Sequence, residues 1–150
     1  MSAIFTFDDS LWPLLVIRVI GRMSDKEVEE FLARSISYAR RGEKYVGIVD
    51  MSQTGLFSPS QRQVMVEWLR EHDDTLREQM LGAANIVTST PIRLALSLVF
   101  YLKPLPMPHV AVSDMCSAVR YVTSRLEEGG LASEAERIRH HFGASCIRVG

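Results

Sequence analysis

Cys116 is the side chain with the best local setting for nucleophilic chemistry, because it stands just after Asp114 at the start of an apolar-striped segment. A helix N-terminus there lowers a thiol pKa. The four histidines, His72, His109, His140 and His141, stand in no local relation to it, and no G-x-S-x-G motif occurs. Cys116 therefore reads as a small, partly buried structural cysteine. With Cys146 it makes a pair too sparse and too separated for a disulfide framework or a four-ligand zinc site. His140-His141 falls near a helix end, where a solvated pair is favoured by the dipole. Glu67, Glu71, Asp73, Asp74 and Glu78 form an acidic run that Arg70 and Arg77 offset at helical spacing, which describes a solvated face. Gly42 and Gly47 do not form a G-x-G-x-x-G, and Gly55 stands alone, so no phosphate loop is expected. The expectation is a protein with no catalytic residue, no metal ligand and no cofactor.

The elements that position these residues are well punctuated. The chain has 150 residues, 47% hydrophobic and 23% charged, with 17 Lys plus Arg against 18 Asp plus Glu. This is the profile of one globular domain with a sizeable core and no general attraction to nucleic acid. No basic-then-apolar leader opens the chain and no apolar run is long enough for a membrane span, so a cytoplasmic location is expected. Residues 3–8 alternate apolar and polar, and Leu14 to Ile20 is β-branched; together they predict an antiparallel hairpin with Trp12 in its turn. Ser24-x-x-Glu27 is a capping box for a first helix that ends at Gly42. Residues 45–50 form a buried strand. Ser58-Pro59-Ser60-Gln61 opens a second helix, extending to about Met80, and residues 83–88 form a fourth strand. Thr90-Pro91 opens a third helix to about Leu102. A short strand at 109–112, a fourth helix capped by Asp114, and a last helix capped by Ser133 follow. Gly129-Gly130 divides the chain into a domain over 1–128 and a helical extension over 129–150. Cys146-Ile147-Arg148-Val149 is a candidate edge strand. The order predicts an α/β fold: a mixed, mostly parallel five-stranded sheet, four helices and a C-terminal helical extension.

That order resembles the STAS domain of bacterial anti-sigma factor antagonists and the SpoIIAA-like family, over roughly residues 3 to 128. Val49-Asp50-Met51-Ser52 is similar to the third strand and its exit in antagonists. Ser58-Pro59-Ser60-Gln61 then falls on the family's Asp-Ser-Ser-Gly phosphorylation motif, and His109 to Met115 with Ala118 and Val122 resembles the final strand and helix. Ser58, Pro59 and Gln61 depart from that motif, and only Ser60 matches the phosphoacceptor. The resemblance implies a bacterial regulator acting on a protein partner, with Ser52, Thr54, Ser58 and Ser60 as a candidate phosphorylation and partner loop. Independently of it, Ser58-x-x-Gln61 is a helix cap.

A second resemblance competes. Asp8-Asp9, Asp50, Thr88 and Lys103-Pro104 are loosely spaced like the site of response-regulator receiver domains. This implies a Mg²⁺-holding acidic pair, a phosphoacceptor Asp50 and a charge-neutralising Lys103. It requires a helix over residues 14–20 and a strand ending at Lys103, against the β-branched first segment and the helical second one.

Ile92 to Leu102 is apolar nearly all round, more than a helix covering one sheet face requires. Three things could cover the surplus: the tail helix through Ile138 and Phe142, a second copy or other protein, or an apolar ligand walled by the helix, as the SpoIIAA-like resemblance implies. Monomers rarely leave such patches bare. The expected function is a non-enzymatic regulatory or scaffold protein acting through protein contact, including a homodimer. Arg93, Leu96, Phe100 and Tyr101 are the candidate interaction face. The alternatives are a carrier or sensor of a small apolar, lipid-like ligand, and a receiver-like phosphoacceptor.

Overall fold

The computed structural model describes residues 3–143 and Cys146. Strands β1 (Ile4–Leu11) and β2 (Leu14–Gly21) form the antiparallel hairpin, turning at a cis Trp12-Pro13 bond. Then come α1 (Asp25–Ala39), β3 (Tyr45–Thr54), α2 (Pro59–Glu71), α3 (Asp73–Gln79), β4 (Met80–Ile86), α4 (Thr90–Leu102), β5 (His109–Val112), α5 (Met115–Glu128) and α6 (Ala132–Phe142). The sheet order is β1-β2-β3-β4-β5, parallel from β2 to β5. It is the mixed, mostly parallel five-stranded sheet expected.

Successive crossovers between the parallel strands put α1 to α4 on one face. There Leu15 and Ile17 of β2, Tyr45 of β3 and Ala83 of β4 pack with Ile36, Val66, Leu76 and Val99. Alternation along each strand sends Leu14, Val46, Ile48, Ala84 and Ile86 to the other face, against α5 and α6. Ser24 and Ser58 both complete reciprocal capping boxes, with Glu27 and Gln61.

Several expectations are corrected. The second helix is two: His72, at φ −107° and ψ 13°, leaves helical geometry, Asp73 and Asp74 begin a new helix, and Met80 opens β4. The described residues thus hold six helices. The tail helix does not cover α4. It buries Ala135 and Ile138 with α5 on the opposite face of the sheet. The cysteines are not free: Cys116 at the start of α5 forms a disulfide with Cys146, 30 residues on. Sequence separation hid this pairing, because α6 doubles back along α5 and returns the chain to the α5 N-terminus. Residues 147–149 of the candidate edge strand lie outside the described residues. No described helix is long and apolar enough to cross a membrane.

Candidate functional site

The junction between β3 and α2 carries the candidate serines. β3 runs on to Thr54, so Ser52 and Thr54 are strand residues and not part of a free loop. The Ser52 amide and hydroxyl both donate to Asp50 Oδ1, at 3.0 and 2.7 Å, and Arg18 Nε donates to Oδ2 at 3.2 Å. Burial pushes the Asp50 carboxyl up, but the Ser52 bonds and the Arg18 charge outweigh it, leaving its pKa below the usual aspartate value. Thr54 Oγ1 donates to the Gly55 carbonyl at 3.3 Å. Gly55 lies so close to the Arg22 backbone that a Cβ would meet its Cα at 2.9 Å, which requires glycine here. Ser58 Oγ accepts from the Gln61 amide at 3.1 Å and lies 3.0 Å from the exposed Ser60 hydroxyl. Gln61 is buried, and its Nε2 donates to the Met23 carbonyl and to Asp25 Oδ1. The structure brings Ser58 and Ser60 together and ties Ser52 to the Asp50 carboxylate instead.

The receiver arrangement is absent. Residues 14–21 are a strand, and Lys103 ends a helix, where it pairs with Asp73 at 2.5 Å. Asp9 pairs with Arg41 at 2.6 Å, and Asp8 accepts from the Ser10 amide. The two acids and Asp50 are each engaged with a different part of the fold.

Helix α4 has two apolar sides. Leu94, Leu98, Tyr101 and Leu102 form a bare outer stripe at i, i+4, i+7 and i+8, and Tyr101 is 83% exposed. Of the candidate face, Tyr101 lies on this stripe. Arg93 is exposed at the helix start, its guanidinium donating to the Val87 carbonyl at 3.1 Å. Leu96 and Phe100 turn inward, half-buried against the other helices.

Leu96, Val99 and Phe100 wall an apolar cavity of about 180 Å³ between the sheet and helices α1 to α4. Its floor is Leu15, Ile17, Val49, Ala83 and Asn85; its roof includes Phe31, Met65, Trp68 and Leu76. Among the described residues no Asp, Glu, Lys, Arg or His lines it. The Tyr45 phenol on its wall is pushed well above its usual pKa by burial and stays neutral. Such a space can hold an uncharged molecule and offers no group for proton transfer. The sequence offered an apolar pocket walled by this helix as one of three covers for its surplus, but not the other walls, because they arise from how four helices meet the sheet. One signal was available: Asn85 is a lone amide in the apolar run Ala83-Ala84-Asn85-Ile86-Val87.

No family model matches the chain, and no curated protein matches it in sequence. Solved structures share its fold, and two of them are similar over most of their length. One is an uncharacterized DUF3478-family protein with a SpoIIAA-like fold from Shewanella loihica PV-4, with TM-score 0.58 and 13% identity, covering 81% of this chain and 94% of that one. The other is an anti-sigma factor antagonist from Mycobacterium paratuberculosis, with TM-score 0.56 and 13% identity over the same shares. The chain has a SpoIIAA-like, STAS-type fold.

Proposed function

We propose that this protein is a non-enzymatic regulatory or scaffold protein that works by protein–protein contact through the outer face of α4, with a second copy of the chain as its first partner. The observation that carries this is the uncovered stripe of Leu94, Leu98, Tyr101 and Leu102. The stripe is nearly free of charge: Arg93 is the only charged residue in α4, and it is engaged with Val87. A neutral apolar stripe can face its own two-fold copy without like-charge repulsion. The fold shared with an anti-sigma factor antagonist supports a regulatory role. A phosphate on the exposed Ser60 would sit at the α2 N-terminus, which favours negative charge. This reading expects a cytoplasmic location. The Cys116–Cys146 disulfide opposes that expectation, since the cytosolic thiol pool keeps such pairs reduced.

Native mass spectrometry of the purified chain and of a Leu98→Ser/Tyr101→Ser variant tests the reading. A dimer that becomes a folded monomer in the variant supports it. A complex with a different protein, lost in the variant, keeps the surface and replaces its occupant. A bare monomer at tens of micromolar, or a dimer indifferent to the substitutions, overturns it.

The cavity supports a second reading, a carrier or sensor of a small apolar ligand. An apolar space of about 180 Å³ exceeds the roughly 150 Å³ at which engineered cavities bind benzene.

A further inference from the structure

Asn85 is 7% exposed, and β4 turns its side chain to the same face as Ala83, onto the cavity floor. Across the sheet its neighbours in register are Val49 and Ala111, neither of which has a side chain that can pair with an amide. Among the described residues the Asn85 amide makes no side-chain hydrogen bond. Trp68, on the opposite wall, also has its indole N–H buried without an acceptor. Ser35 and Tyr45 are the other polar side chains there, and the Ser35 hydroxyl donates to the Phe31 carbonyl at 2.8 Å. With no protein partner among the described residues, the Asn85 amide has its donor and acceptor capacity open to the cavity, which an apolar residue of similar shape would not offer.

We infer that Asn85 reads a polar group on the cavity's ligand, and that this ligand is a compact, uncharged molecule: one ring, or a body of similar size, carrying a hydroxyl or carbonyl. The inference rests on the second reading above and narrows it. Size sets the first limit, because about 180 Å³ suits a substituted single ring and not a long acyl chain. Charge sets the second. A carboxylate or ammonium would be stripped of water with no counter-charge on the cavity wall, so fatty acids and amines are disfavoured. The amide sets the third, since its C=O accepts and its NH₂ donates, matching a phenol, alcohol or ketone.

The test is an NMR titration of the full chain and of Asn85→Leu with p-cresol, with p-xylene, its near-isostere lacking the hydroxyl, and with palmitate. The expected result is that both ring compounds bind the natural chain and shift the Trp68 indole resonance. In Asn85→Leu, the p-cresol to p-xylene ratio of dissociation constants should rise at least tenfold, with p-xylene binding within about twofold of the natural chain. In the natural chain, nuclear Overhauser contacts should join the cresol ring to the Asn85 side-chain NH₂, a check that does not depend on the variant folding. An unchanged ratio without those contacts overturns the role of Asn85 and leaves an apolar carrier standing. Binding of palmitate alone overturns the size and charge limits and also leaves a carrier. No binding by any of the three overturns both the inference and the carrier reading.

Discussion

Gln61 donates from its side-chain Nε2 to the backbone carbonyl of Met23, 2.9 Å away and 38 residues earlier in the chain. This bond fastens the α2 N-terminus to the segment that leads into α1. The same side chain donates to Asp25 and accepts from the Ser58 amide through Oε1. Gln61→Ala removes all three contacts and strands a buried carbonyl, so it should lower unfolding stability by about 2 kcal/mol. Urea midpoints at constant m-value measure it, and a loss within error would mean that water replaces the amide.

Ser58 and Ser60 are neighbours with different duties. Ser58 caps α2, so Ser58→Ala should cost about 1 kcal/mol. Ser60 is exposed, and Ser60→Ala should change stability by less than about 0.5 kcal/mol. Equal costs at the two positions would show that Ser60 shares in the cap.

Asp50 gives the fold an acid-sensitive point. Its folded pKa lies below the ordinary value of 3.8, so its contribution is present above that value and fades as pH falls through the lower folded one. Asp50→Asn should cost about 1–2 kcal/mol at neutral pH, chiefly through the Ser52 bonds, because the Arg18 side chain is half exposed. The gap between the two proteins should narrow below about pH 4. A gap that stays constant to about pH 3 would mean that the carboxylate charge plays no part.

Reduction of the Cys116–Cys146 disulfide opens a loop enclosing α5 and α6. Loop closure of this length is worth at most about 3–4 kcal/mol. Thiol labelling of the unreduced protein should fail at both cysteines, and a reductant should lower the thermal midpoint. Immediate labelling without reductant would show that the pair does not close.

The two sides of α4 should respond differently to the same change. Phe100→Ser opens the inner side and should cost about 2–3 kcal/mol. Tyr101→Ser touches an exposed ring and should cost less than about 0.5 kcal/mol. Thermal denaturation separates them, and equal losses would place Tyr101 in the core.

The sheet was legible because its signals are local. β-Branched runs, two capping boxes and helix-starting prolines mark the elements where they stand in the chain, and parallel order follows from the crossovers. Features that depend on distant segments meeting were not legible. Cys116 and Cys146 read as isolated because only the path of α6 joins them. The apolar excess of α4 was plain, but its partition was not. Leu96 and Phe100 turn inward because α2 and the sheet leave a cavity beneath them, and composition carries no record of a void. The break at His72 was missed because the apolar spacing continues through Leu76 while the backbone does not.

Helix α4 has the cavity under it and the bare stripe above, separated by a single helix diameter. Binding events on its two sides are thermodynamically linked wherever one of them shifts the helix. If a molecule seated against Phe100 shifts the helix and alters affinity at Tyr101 by some factor, then occupation of the Tyr101 side must alter affinity in the cavity by the same factor. On the two proposed readings together, self-association through the stripe would then tune how tightly a small molecule is held, and the small molecule would tune how readily two copies meet.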